Sequence, residues 1–239
     1  MRNDLKERTV CPDEETPERL SGKVQQVTSQ EVSPGAEMVV IEVCRGEVSG
    51  CPNALISTAD WKKAAENWAR ERNVYERLRS RIKGDKVLLH HKLRVSISGC
   101  PNGCSRPQIA DVGWVGFVHP TVAKETCTAC GACAAACPDA AISVSDGPPE
   151  FDMTACQGCT RCRDACPAGC ITLSTSGVRI MLGGKLGRHP RLAEIVGEEM
   201  APSAVIALLD RVIRRYLECA APEERFADFL VRSPGAWRS

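Results

Sequence analysis

Apolar and polar positions follow two rhythms along this chain, interrupted by cysteine-rich stretches that obey neither. From Thr58 to Lys83 the residues Trp61, Ala65, Trp68, Tyr75, Leu78 and Ile82 recur near helical spacing, which predicts one amphipathic helix. Thr58 stands where an N-cap is expected, and Gly84 where the helix should stop. A second helical rhythm runs from Pro202 to about Cys219, with Val205, Leu208, Leu209, Val212, Ile213 and Tyr216 on one face. A last short helix is expected near Pro222–Arg232. Strand patterns occupy Ala36–Cys44, Lys86–Ser98, Asp111–Val118 and Gly177–Leu182. Residues 1–35 are polar, charged and dotted with Pro and Gly, and read as a weakly ordered leader. Between the third and fourth strands lies an internal repeat joined by the turn at Gly147, Pro148 and Pro149. The expected fold is α+β, with residues 36–120 and 177–239 forming a host domain and residues 121–176 inserted into it.

Composition narrows the partners. Lys and Arg total 31 against 30 Asp and Glu, so net charge exerts no general pull toward nucleic acid or membrane. Aromatic residues make up 4%, too few for a base-stacking surface. No run approaches the roughly 20 apolar residues that span a bilayer. The opening residues lack the apolar core of an export signal, so a cytoplasmic location is expected. In a reducing compartment, 15 cysteines point to metal rather than disulfides.

Eight of those cysteines form a duplicated CxxCxxCxxxCP pattern. The first copy is Cys127, Cys130, Cys133 and Cys137 before Pro138; the second is Cys156, Cys159, Cys162 and Cys166 before Pro167. This is the bacterial ferredoxin motif, in which three close thiolates cover one face of a 4Fe-4S cubane and the fourth cysteine reaches the other cluster. Cys127, Cys130, Cys133 and Cys166 are therefore assigned to one cluster, and Cys156, Cys159, Cys162 and Cys137 to the other. Small residues between the ligands (Ala129, Gly131, Ala132, Gly158) let backbone amides approach the sulfurs. Four more cysteines fall into two distant pairs, Cys44 with Cys51 and Cys100 with Cys104. Spacing alone leaves them open between a third cluster, completed by the fold, and scattered thiols. Cys11, Cys170 and Cys219 remain unassigned; Cys170 reads as a buried thiol or as a spare beside a cluster.

The segment Ser98-Gly-Cys-Pro-Asn-Gly-Cys-Ser-Arg106, followed by Ile109-Ala-Asp-Val-Gly-Trp-Val-Gly116, resembles the C-terminal half of sirohaem-dependent sulfite and nitrite reductases. The resemblance resumes at Leu182-Gly-Gly-Lys-Leu-Gly-Arg-His-Pro-Arg191 and runs to Glu224-Arg-Phe-Ala-Asp-Phe-Leu-Val-Arg232. It covers about residues 38–232, and the inserted repeat resembles the anaerobic and dissimilatory branches. The resemblance implies that Cys44, Cys51, Cys100 and Cys104 hold a 4Fe-4S cluster coupled to sirohaem, with Cys104 as the shared thiolate. It would make three 4Fe-4S clusters in all. Sirohaem carries many carboxylates and its substrates are anions, so cations are needed around it. Arg106, Lys185, Arg188, His189 and Arg191 are the candidates, Arg188 and Arg191 foremost; a solvated basic loop is the alternative. Cys104, Arg188 and Lys185 are the expected catalytic residues. The basic run from Arg77 to Arg94 reads as a wet helix face, and His90 and His91 as structural.

Two departures bear on that reading. The family usually spaces its first pair C-x5-C, whereas Cys44 and Cys51 are C-x6-C. About forty residues precede Cys44, fewer than the related N-terminal half of the family requires. A complementary subunit or a second copy of the chain is expected to supply that half, unless sirohaem is not bound. The leading expectation is a sulfite or nitrite reductase subunit fed by an electron-donor protein. Its rivals are a sirohaem-free electron-transfer protein that docks on another redox enzyme, and another reductase chemistry built on the same half-domain.

Overall fold

The computed structural model describes residues 38–46, 48–174 and 176–238, so the leader and Cys11 lie outside the described residues. Along the chain come β1 (Val39–Val43), α1 (Thr58–Glu71), α2 (Val74–Arg79), β2 (Leu93–Ser98) and β3 (Val112–Phe117). A short-element stretch follows, with β4 (Pro120–Val122), α3 (Ala132–Ala136), β5 (Ile142–Ser143), β6 (Glu150–Phe151), α4 (Arg161–Asp164) and β7 (Ile171–Leu173). The chain then returns through β8 (Gly177–Leu182), β9 (Glu194–Met200), α5 (Pro202–Cys219) and α6 (Phe226–Arg232).

Five strands form one mixed sheet in the order β1-β2-β3-β8-β9. β1, β2 and β3 run parallel, while β3–β8 and β8–β9 are antiparallel. Successive strand residues face opposite sides. Val95, Ile97, Val112, Trp114, Val178, Ile180 and Leu182 point into the main core with α1 and α5. Trp61 of α1 meets Trp114 of β3 edge to face at 5.5 Å, a geometry that adds about 0.5–1.5 kcal/mol beyond burial. The apolar face read for α5 is buried throughout, from Val205 to Tyr216.

Several boundaries differ from the sequence expectation. The helix expected over 58–83 is two helices, because Asn73 adopts the left-handed region at φ 50°, which Asn tolerates better than most residues. That turn redirects Val74 and Leu78 into the core. The N-cap is Ser57, whose Oγ accepts the Asp60 amide at 3.2 Å, rather than Thr58. The strand expected from Lys86 begins only at Leu93, after a short helical turn at Leu89–His91. The last helix starts at Phe226. The basic run is also more than a wet face: Arg81 caps α5, donating to Ala221 O at 2.7 Å and lying 4.7 Å over the Tyr216 ring.

The two-motif stretch is tied off by β4 and β7, which pair antiparallel from Pro120–Leu173 to Val122–Ile171. β3 leads into it and β8 leads out, and Phe117 lies opposite Gly177. Its two ends are therefore neighbours on one sheet, so the host strands close beneath it. It has its own small core, formed by Cys133, Cys162, Cys170 and Ile171.

Candidate functional site

Parallel pairing brings the carboxyl ends of β1 and β2 to the same edge. Val43 lies opposite Ile97, and the Cys44 amide donates to Ile97 O at 2.9 Å. Cys44 and the turn carrying Cys51 therefore meet the loop carrying Cys100 and Cys104. The Gly99 amide donates to Cys44 Sγ at 3.2 Å, and Asn102 Nδ2 donates to Cys104 Sγ at 3.0 Å. Burial pushes the Cys100 thiol pKa up, and Cys51, Cys104 and Cys44 each add to that, so all four thiols share one locality. Cys104 is the exposed member. The loop turns back over the sheet because buried Ser96 and Ser98 hold Ser105, through Ser96 Oγ to Ser105 O at 2.7 Å and a Ser98–Ser105 hydroxyl pair at 2.7 Å. Gly116 on β3 lies against Gly99, where a Cβ would come 2.2 Å from the Gly99 oxygen. Only a glycine permits that approach.

The basic turn packs beside this loop. Ala193 N–H donates to Gln108 O at 2.7 Å, and Gly183 N–H donates to Asp111 O at 2.9 Å. Lys185 and Arg191 close the turn by exchanging backbone hydrogen bonds at 2.9 Å. Their side chains are engaged within the chain: Lys185 pairs with Asp228 of α6, and Arg191 with Glu194. Arg191 Nη1 is nevertheless buried without a hydrogen-bond partner. Arg106, Arg188 and His189 are exposed, and among the described residues Arg106 and Arg188 form no ion pair. His90 and His91 stack edge to face at 4.4 Å, and His91 Nδ1 accepts the Leu88 amide, away from these cysteines.

The eight motif cysteines line two small cavities. Cys127, Cys130, Cys133 and Cys166 line the first, and Cys137, Cys156, Cys159 and Cys162 line the second. Each cavity thus takes three thiols from one motif and the fourth from the other. The geometry follows from the α3 and α4 turns, which carry Cys133 and Cys162 inward and send the following cysteine across. Amides aim at sulfur in the second cavity, Ala141 to Cys137 and Gly158 to Cys156, both at 3.4 Å. Burial raises the thiol pKa of Cys133 and Cys156 and pushes Cys162 up to about 11. Binding a metal here would require these thiols to release their protons. Cys170 also lines the first cavity, with its sulfur 3.3 Å from Cys166 Sγ. That hydrogen bond, ahead of burial, pushes Cys170 up to about 12 and draws Cys166 down.

The donor set fits a 4Fe-4S cluster at each cavity, with four motif thiols around uncharged walls in the first and four motif thiols with amide donors in the second. The four thiols of the Cys44 group repeat that donor set. The unpartnered Arg191 Nη1 and the open Arg106 and Arg188 are cations of the kind a carboxylate-bearing group needs, with Arg106 two residues from Cys104. Sequence reading missed Arg179, which joins the second cavity to the sheet. A single charge inside the apolar strand Gly177–Leu182 was the available signal.

Comparison with known proteins bears on all of this. The family described as "Nitrite and sulphite reductase 4Fe-4S domain" matches residues 41–233. A coenzyme F420-dependent sulfite reductase of Methanocaldococcus jannaschii is 35% identical over 175 residues, covering 73% of this chain and 26% of that protein. The hemoprotein beta-component of an NADPH sulfite reductase from Thiocapsa roseopersicina is 26% identical over 136 residues, covering 57% of this chain and 14% of that protein. The crystal structure of dissimilatory sulfite reductase I superposes with a TM-score of 0.55 at 15% identity, covering 82% of this chain and 50% of that one, a likeness of fold. The chain spans about a quarter or less of these curated relatives' lengths. Among the described residues no helix is long and apolar enough to cross a membrane.

Proposed function

The chain belongs to the nitrite and sulphite reductase 4Fe-4S domain family, and from that premise we propose that it is the iron–sulfur part of a sulfite or nitrite reductase. Two ferredoxin-type clusters, in the cavities of Cys127/Cys130/Cys133/Cys166 and Cys137/Cys156/Cys159/Cys162, receive single electrons from a donor protein. A third cluster, on Cys44, Cys51, Cys100 and Cys104, stores electrons next to the site of reduction. Sirohaem, when bound, supplies the iron at which the anion is reduced; Cys104 would be its thiolate ligand. Arg106 and Arg188 would face its carboxylates or the substrate, with Arg191 and Lys185 behind them. A complementary subunit or a second copy of the chain is the proposed partner at this pocket. A reducing compartment, the cytoplasm, suits thiols kept for metal.

The observation that carries the reading is the contact between the β2–β3 crossover, which holds Cys100, Cys104 and Arg106, and the segment from Gly183 to Ala193, made through Gln108 and Ala193. The crossover from β2 to β3 thus carries the thiols at its start and meets the basic turn at its end. One observation favours a sirohaem-free electron-transfer protein instead: Lys185 and Arg191 are already neutralised by Asp228 and Glu194. Reconstitution of anaerobically purified protein with sirohaem, alone and with any co-purifying partner, separates the two. Haem uptake with dye-driven reduction of sulfite or nitrite is expected. No haem uptake in either case, with all three clusters reducing normally, leaves the electron-transfer reading standing.

A further inference from the structure

The two cysteine cavities differ in one respect the motif repeat does not predict. The lining of the first, from Cys127 to Ile171, contains no charged residue. The second is lined by Asp139 and Arg161, both exposed, and by Gln157. Behind Gln157 stands Arg179 of β8, only 7% exposed. Its Nη1 donates to Gln157 Oε1 at 2.9 Å and its Nη2 to Cys156 O at 3.4 Å. Its guanidinium carbon lies 4.4 Å over the Phe117 ring. Glu198 of β9 meets Nε at 2.7 Å as an ion pair without hydrogen-bond geometry, and its side chain is 37% exposed. The guanidinium is therefore buried with two of its nitrogens turned toward the Cys156–Gln157 turn, while its counter-charge sits on the far side nearer water. The turn itself is pinned to the sheet. Val118 N–H donates to Gly158 O at 3.2 Å, and a Cβ on Gly158 would strike the Phe117 ring at 2.3 Å.

We propose that Arg179 sets the reduction potential of the second cavity's cluster above that of the first, so that electrons entering the pair settle on the cluster pinned to the host sheet. The inference rests on the reading that both cavities hold 4Fe-4S clusters. Reduction adds one electron to the cluster and makes or breaks no bond, so its charge falls by one. A fixed, desolvated cation nearby stabilises that extra negative charge, and poor screening in the interior lets the effect persist. Asp139 and Arg161 are opposite in sign and exposed to water, so they contribute little.

The test is a dithionite redox titration of the full anaerobic protein, followed by electron paramagnetic resonance. The component lost in Cys156→Ser identifies the second cluster. Arg179→Gln should lower that cluster's potential by about tenfold in the one-electron equilibrium, ~59 mV, while the other cluster stays in place. Arg179→Lys should recover most of the difference. Glu198→Gln, at the more exposed partner, should raise the potential and serves even where Arg179→Gln fails to fold. Clusters present but unmoved by Arg179→Gln, or a Glu198→Gln potential that stays or falls, overturns the proposal alone. Wild-type protein with no cluster in the second cavity overturns the underlying reading as well.

Discussion

Gly116→Ala tests whether the third cysteine site depends on the close approach of β3 to the Cys100 loop. A Cβ at Gly116 would stand 2.2 Å from the Gly99 oxygen, 2.8 Å from its carbonyl carbon and 3.2 Å from Ile56 Cγ1. Ordinary carbon–oxygen contacts begin near ~3.3 Å, so the Gly99 peptide must retreat by about 1 Å. The obstacle is backbone and cannot rotate away. Overpacking of this kind costs about 1–3 kcal/mol. The same shift stretches the Leu55 N–H bond to Gly99 O, 2.8 Å in the native chain and worth about 1 kcal/mol. The reduced freedom of the unfolded chain offsets about 0.4–1 kcal/mol. The net expectation is a loss of about 1–3.5 kcal/mol, which for a chain of this size lowers Tm by roughly 2–14 °C. Because Gly99 also donates to Cys44 Sγ, iron should fall from about twelve atoms per chain to about eight. Gly147→Ala is the control: nothing lies within 4 Å of its Cβ, so Tm should hold or rise slightly. Circular dichroism melts and iron and sulfide assays on anaerobic protein make the measurement. A Gly116→Ala protein that melts with the control and keeps all its iron would refute the reasoning.

Three further outcomes are expected. Cys137→Ser should remove the cluster shared with Cys156, Cys159 and Cys162 and spare the one on Cys127, Cys130 and Cys133, read by electron paramagnetic resonance; the reverse loss contradicts the crossover assignment. Cys104→Ser should disturb both the third cluster and the spectrum of added sirohaem, whereas Arg188→Ala should leave the clusters intact and weaken cofactor or anion binding, read by visible titration. Burial, opposed by the Arg94 amide at 2.9 Å, pushes the Asp111 carboxyl up to about 6 from 3.8. The folded state thus holds the proton more tightly, and wild-type stability should fall by up to about 3 kcal/mol as pH rises from about 4 through 6. Asp111→Asn should lack that slope, so melts at pH 5 and pH 7 that decline in parallel for both proteins would count against it.

The amino-acid sequence by itself determined what repeats locally. The helix from Pro202 to Cys219 was legible because its apolar residues return every turn, and β8 because an apolar run lies between turn residues. The eight motif cysteines were legible for the same reason, since their spacing is the signal. Tertiary structure decided what depends on distant partners. β9 escaped notice because Glu194–Met200 is an edge strand, charged and partly exposed, defined by pairing with β8. One helix became two at Asn73 because packing of Val74 and Leu78 outweighed continuous helical periodicity. Cys44 and Cys51 met Cys100 and Cys104 only through parallel pairing of β1 and β2. Lys185 and Arg191 looked like free cations until α6 brought Asp228, and the start of β9 Glu194, against them. Arg179 acquired its place only when β8 passed beneath the Cys156 turn. Periodicity and ligand spacing are short-range properties written along the chain, whereas charge pairing and the gathering of separated thiols come into being when remote segments fold together.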